Sequence, residues 1–158
     1  MGDGTSIRHQ FQFLIGTDNI LRSVRVQIRK VGSPTDNVEC RVMDMDRTTV
    51  IAVSTTSILS SNLSANFQES AFVFNDVVLT PNQRYIIDIR RSSSNSATNH
   101  YEIEANGTNF YPYGQLHYFD GTNWIAYSGC LRFAIQMGFN HEMGKRWLSD
   151  NDFESTSQ

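Results

Sequence analysis

Long apolar runs, lysine, cysteine and proline are all scarce in this chain of 158 residues. No apolar stretch approaches the roughly 18 residues that mark a membrane-spanning helix, so no membrane partner is expected. The N-terminus, MGDGTSIRHQ, has neither a basic n-region nor an apolar h-region, so no signal peptide is expected. Its first six residues fit the loose N-myristoylation pattern, a match short enough to arise by chance. Charged residues make up 18% of the chain and the formal net charge is −3, which argues against nucleic acid as a partner.

Cys40 and Cys130 are the two cysteines, and they fit no CxxC zinc or redox spacing. Cys40 shares strand parity with Val38 and Val42 and faces inward. Cys130 shares parity with Arg132 and Gln136 and faces outward, so two free thiols are expected. No G-x-S-x-G elbow singles out a serine, and the four histidines (His9, His100, His117, His141) pair with none by context. No enzyme activity, no cofactor and no metal are expected. Asp44 and Asp46 share one side of a strand end, with Asp36 in the preceding turn. They lack EF-hand spacing and read as solvated loop acids, as do Glu102 and Glu104 on their strand face. The sequons at Asn62 and Asn106 are no more than chance supplies in an Asn-, Ser- and Thr-rich chain.

Ser, Thr and Asn take the place of the missing charge, and aromatic residues reach 11%, so the chain is not a disordered polar tract. The dominant hydrophobic period is two. Phe11, Phe13 and Ile15 alternate with polar or exposed positions. Val24, Val26 and Ile28 alternate with Arg25, Gln27 and Arg29. Val38, Cys40 and Val42 alternate with Glu39, Arg41 and Met43. Tyr85, Ile87 and Ile89 alternate with Arg84, Asp88 and Arg90. Leu131, Phe133, Ile135, Met137 and Phe139 alternate with Cys130, Arg132 and Gln136. Residues 49–57 and 71–79 are β-branched or aromatic and read as more fully buried strands. Turns separate these runs: Gly32-Ser33-Pro34-Thr35-Asp36-Asn37, Pro81-Asn82, the polar stretch 92–96, and Asp120-Gly121, which joins 115–119 to 123–127 as a hairpin. Ten short strands at this spacing predict an all-β antiparallel sandwich of the jelly-roll type.

The segments SVRVQIRKVGSPTDNVECRVMD (23–44), AFVFNDVVLTPNQRYIIDIRRS (71–92) and DGTNWIAYSGCLRFAIQMGF (120–139) carry a resemblance. With the Gly-Ser-Pro-Thr turn, the step from Leu79-Thr80 to Tyr85 and the late Trp124 hairpin, the chain resembles a family. That family is the jelly-roll, galactose-binding-like β-sandwich domain of phage virion proteins and bacterial surface proteins. The resemblance spans roughly residues 8–139 and includes no catalytic motif. Cys130 stands where such domains often carry an acidic residue. It implies a structural virion protein of a bacteriophage, a capsid decoration or a tail or fibre component. Its partners would be other virion proteins or copies of itself, and its location the virion, assembled in the host cytoplasm. A carbohydrate-binding module recognising a cell-surface glycan, with an extracellular location, is the alternative.

Two sets of residues are candidates for these roles. The aromatic cluster between 106 and 127 interleaves rings with amides and suits sugar faces, and Tyr111, Tyr113, His117 and Trp124 are its candidate ligand-binding residues. Arg25, Arg29, Arg41 and Arg132 take the wet faces of their strands and are candidate protein–protein contacts, because arginine is enriched at interfaces. The sandwich is expected over residues 1–140. Residues 141–158 form a polar tail with isolated Trp147, Leu148 and Phe153, readable as a frayed terminus or as a docking arm.

Overall fold

The structure, a computed structural model, describes residues 8–92, 96–106, 114–120, 122–127 and 130–138. Tyr111, Tyr113, Trp147, Leu148 and Phe153 lie outside the described residues, as does the whole 141–158 tail. The described chain forms thirteen strands rather than ten: β1 Arg8–Leu14, β2 Ile20–Val31, β3 Asn37–Met43, β4 Val50–Val53, β5 Ile58–Leu59, β6 Gln68–Val78, β7 Arg84–Arg91, β8 His100–Ile103, β9 Ala105–Asn106, β10 Leu116–Phe119, β11 Trp124–Tyr127, β12 Cys130–Leu131 and β13 Phe133–Gly138. The extra strands are the two-residue pieces β5, β9 and β12, too short to show a period in sequence.

Every pairing is antiparallel. One sheet runs β11-β10-β1-β7-β3-β4, with β5 also on β3. The second runs β13-β2-β6, with β8 on β2, and the pair β12–β9 extends it. The link to that pair is direct: Glu104 N–H donates to Gln27 O and Arg132 N–H to Glu104 O. Alternating residues of both sheets meet in one core, where Phe11, Phe13, Leu21, Val24, Ile28, Phe72, Ile87, Ile89 and Leu116 are almost wholly excluded from solvent. The chain is therefore an antiparallel β-sandwich, as its period of two predicts. Among the described residues no helix is long and apolar enough to cross a membrane.

Two local features set the turns. Gly32 has φ +68°, and a Cβ there would stand 2.1 Å from Thr98 O. Only glycine fits both the left-handed backbone and that close approach. The step after β6 is pinned to the connection between β1 and β2. Asn19 Nδ2 donates to Leu79 O at 2.9 Å, and Leu79 N–H returns to Asn19 O at 2.8 Å.

Several parity assignments are corrected. Residues 49–57 and 71–79 are not buried on both faces. Val50, Ile51 and Val53 are 39–47% exposed, and Val73 and Val78 are 43% and 67% exposed. The reason is position: β4 and β6 end their sheets, so their β-branched residues lack neighbours on one side. Met43 and Asp88, read as wet, are 2% and 0% exposed. Large side chains on the same outer face enclose them, as described below. Asp44 and Asp46 lie in the turn after β3, not on a strand.

Candidate functional site

The strand register lines up two rows of side chains on the outer face of the first sheet. One row is Trp124, Phe119, Arg8, Arg90 and Glu39; the next is Ala126, His117, Gln10, Asp88, Arg41 and Val53. Residues two apart on one strand share a face, so the rows are adjacent. Asp88 is the centre. Its carboxylate accepts from Gln10 Nε2 at 3.1 Å, Arg8 Nε at 3.2 Å and Arg90 Nε at 2.7 Å, with a further close contact from Arg90 Nη2. Burying a carboxylate this fully is costly unless it is paired and hydrogen-bonded in this way. Sequence alternation marked Asp88 as solvated because it cannot see that two arginines lie over it.

Trp124 sits at one edge of this face. The Arg8 guanidinium is 5.0 Å from the ring centroid, that of Arg47 is 5.4 Å away, and Phe119 packs at 5.2 Å. Arg47 belongs to the β3–β4 turn and has φ 62°. That turn is held by Asp46, which accepts the Thr49 hydroxyl and the main-chain N–H groups of Thr48 and Thr49. These bonds, the Thr49 hydroxyl foremost, hold the Asp46 carboxyl well below the usual range. His117 has no partner on Nδ1. Desolvation, then the Arg47 charge, lowers its pKa. Of the four ligand-binding candidates, the structure thus brings His117 and Trp124 onto one face. The indole is already covered in part by guanidinium groups.

The hairpin that presents Trp124 forms as the sequence predicts. Asp120 Oδ1 accepts the N–H groups of Thr122 and Asn123 at 2.8 and 2.7 Å, which lowers the Asp120 pKa. Asp120 N–H donates to Asn123 O across the turn.

The four arginine candidates do not share one surface. Arg25, Arg29 and Arg132 belong to the second sheet, whereas Arg41 is on the first. Each has an intramolecular acid: Arg25 with Glu69 at 3.3 Å, Arg29 with Glu102 at 2.6 Å, Arg41 with Glu39, and Arg132 with Glu104 at 3.0 Å. Arg25, Glu69 and Arg132 border one shallow surface cleft of about 160 Å³. Glu102 and Glu104 are therefore cross-strand partners rather than free wet acids. Burial opposes ionisation of Glu102, but hydrogen bonds from Arg29 and His100 prevail and lower its pKa. Arg29 also lies 4.6 Å from the Phe67 ring.

Sequence reading missed a third cluster, between the sheets. Arg91 and Asp36, 7% and 5% exposed, form a two-pronged ion pair at 2.8 Å. Tyr101 donates its hydroxyl to Asp36 O and lies under Arg91, 5.5 Å away. The Tyr101 pKa is raised, chiefly by burial. Asp36 looked like an ordinary turn acid, and nothing local marked its long-range partner. His9 projects into this end of the core with Nδ1 unpartnered. Cys40 is a buried free thiol whose pKa is raised by burial; the Cys130 side chain lies outside the described ones. Among the described residues no three His, Cys, Asp or Glu side chains converge as metal ligands. Comparison with family models and with curated proteins finds no match.

Proposed function

We propose that this chain is a structural protein of a bacteriophage virion, a capsid decoration or a tail or fibre component, that works through protein–protein contacts. The observation that carries the reading is the distribution of its surface. Most of the described charges on the strands are paired with one another, while aliphatic side chains stand exposed at the sheet edge, Val50, Ile51, Val53 and Leu59 among them. A surface of this kind suits resting against neighbours, because apolar area is gained on contact without stripping free charges of water. The resemblance of the 23–44, 71–92 and 120–139 segments to phage and bacterial surface sandwiches supplies the virion context, with location in the particle.

The test is mass spectrometry of particles purified from the source lysate. The chain is expected at a fixed copy number per particle. Deleting residues 141–158 is expected to remove it from the particle if the tail is the docking arm. Particles that lack the chain altogether would overturn the reading.

Glycan binding is the second reading, favoured by the row that sets His117 beside Gln10 and next to Phe119 and Trp124. It ranks lower because a sugar stacking on Trp124 would have to displace Arg8 or Arg47. A glycan array is expected to lose signal on His117→Ala with no fall in melting temperature; a blank array for the wild type would end this reading.

A further inference from the structure

We infer that the apolar groove between β1 and β13 is the docking site of the chain's own C-terminal segment, which lies down as one added strand on the free edge of β13. The inference concerns the chain by itself and goes beyond the virion reading.

The groove has a volume of about 240 Å³. Phe13, Leu14 and Ile15 wall it from the first sheet and Phe133, Ile135 and Met137 from the second, with Gly16 and Asp18 on the rim. Its origin is a mismatch in sheet width. The Phe133 ring packs 4.5 Å from that of Phe11, which sets β13 over β1. Among the described strands β13 ends the second sheet there, whereas the first continues past β1 through β10 to β11. Phe133, Ile135 and Met137 are therefore only half-buried, although they pack against the core. Tyr118 of β10 and Ile125 and Tyr127 of β11, on the inner face beyond β1, are half-buried as well.

β13 is open to a partner strand. As an edge it turns one row of main-chain N–H and C=O groups away from β2, and from Phe133 to Gly138 it holds no charge and no proline to ward off pairing. β13 itself is regular: the extra residue where its ladder to β2 shifts is Arg22, on β2.

The shape of the site restricts the occupant to a single strand. Two copies that paired β13 with β13 would each drive the projecting β10 and β11 into those of the other. The segment that starts at the end of β13 meets the requirement. Residues 139–158, outside the described ones, follow Gly138 directly. A return along the six residues of β13 takes about six residues beyond a turn. Asn140 is a turn former, and Met143, Trp147 and Leu148 supply apolar side chains for the groove. Lys145 and Arg146 beside them complement Asp18, which pairs with no cation among the described residues. A short tether gives the segment an effective concentration in the millimolar range, so the chain's own copy outcompetes that of a neighbour.

Trp147 reports on the site once Trp124→Phe has removed the other tryptophan. In the full chain its emission is expected to lie blue of that in urea and to resist acrylamide quenching, to the same degree at every protein concentration. Gly16→Phe fills the groove from its rim, where an added Cβ meets nothing within 4 Å. It is expected to move the emission to the red and restore quenching, with the circular dichroism of the strands unchanged. Asp18→Lys sets like charges together and is expected to shift the emission the same way, less far at high salt. Emission equal to that of the unfolded chain, shielding that survives Gly16→Phe, or shielding that arises only as chains associate would overturn the inference. Each of these leaves the virion reading in place, because particle mass spectrometry tests that separately.

Discussion

The Tyr85 hydroxyl accepts the main-chain N–H of Thr80 at 2.9 Å, across the turn that connects β6 to β7. The phenol ring is buried against Phe13, with ring centroids 6.2 Å apart. The same residue thus fills the core with its ring and fixes the turn with its oxygen. This is the physical content of the Leu79-Thr80 to Tyr85 spacing in the sequence. Tyr85→Phe keeps the packing and orphans the Thr80 N–H. It is expected to cost about 1–2 kcal/mol, read as a lower chemical-denaturation midpoint with an unchanged slope. A neutral result would show that water satisfies the Thr80 N–H just as well.

Asp88→Asn should be far more damaging than its surface-like place in the sequence suggests. It removes the buried carboxylate that both Arg8 and Arg90 bond, arginines whose side chains are only 23% and 19% exposed, and leaves Arg90 only the longer Glu39 contact at 3.9 Å. Breaking a buried pair by deleting one partner costs about 3–5 kcal/mol, and partial exposure of the arginines places the expected loss near the lower end. Arg25→Gln, which breaks an exposed pair, is the control and should change stability by less than about 1 kcal/mol. Equal effects of the two changes would contradict a buried role for Asp88.

Burial pushes the His9 pKa down from 6.5 to about 4. The unfolded chain therefore binds a proton there that the folded chain refuses. Stability contributed by the neutral imidazole is full above pH 6.5 and is lost as pH falls toward 4, by up to about 3 kcal/mol. His117, also lowered, acts in the same direction. The carboxylates with lowered values lose their contribution at more acidic pH, below their ordinary range. Melting temperature is expected to drop between pH 6.5 and 4.5, and His9→Leu to flatten that part of the curve. A wild-type profile level across this window would refute the assignment.

Gly32→Ala is expected to destabilise the sandwich by more than a surface change does, by about 2 kcal/mol or more. It combines a positive φ with a clash against the Thr98 main chain. Thermal denaturation of the variant gives the answer, and Gly16→Ala, where a Cβ meets nothing within 4 Å, is the comparison.

The alternation of Phe11-Phe13-Ile15, Val24-Val26-Ile28 and Tyr85-Ile87-Ile89 determined by itself that the chain is an antiparallel sandwich with a one-faced core. Period two is a local property, and every residue reports it independently of its neighbours in space. The Asp120 hairpin was legible for the same reason, since its bonds run between residues two and three apart. Tertiary structure decided what parity cannot carry. It placed Arg41 on a different sheet from Arg25, Arg29 and Arg132. It enclosed Asp88 and Met43 on a face that alternation marks as wet, and it joined Asp36 to Arg91 across 55 positions. It left Val50, Ile51 and Val53 exposed, because a strand's burial depends on its neighbours and β4 ends its sheet. The lack of a long apolar run excluded a membrane-spanning helix at the outset. Which few apolar residues would remain uncovered was a matter of sheet order, and sheet order is fixed only when distant strands pair.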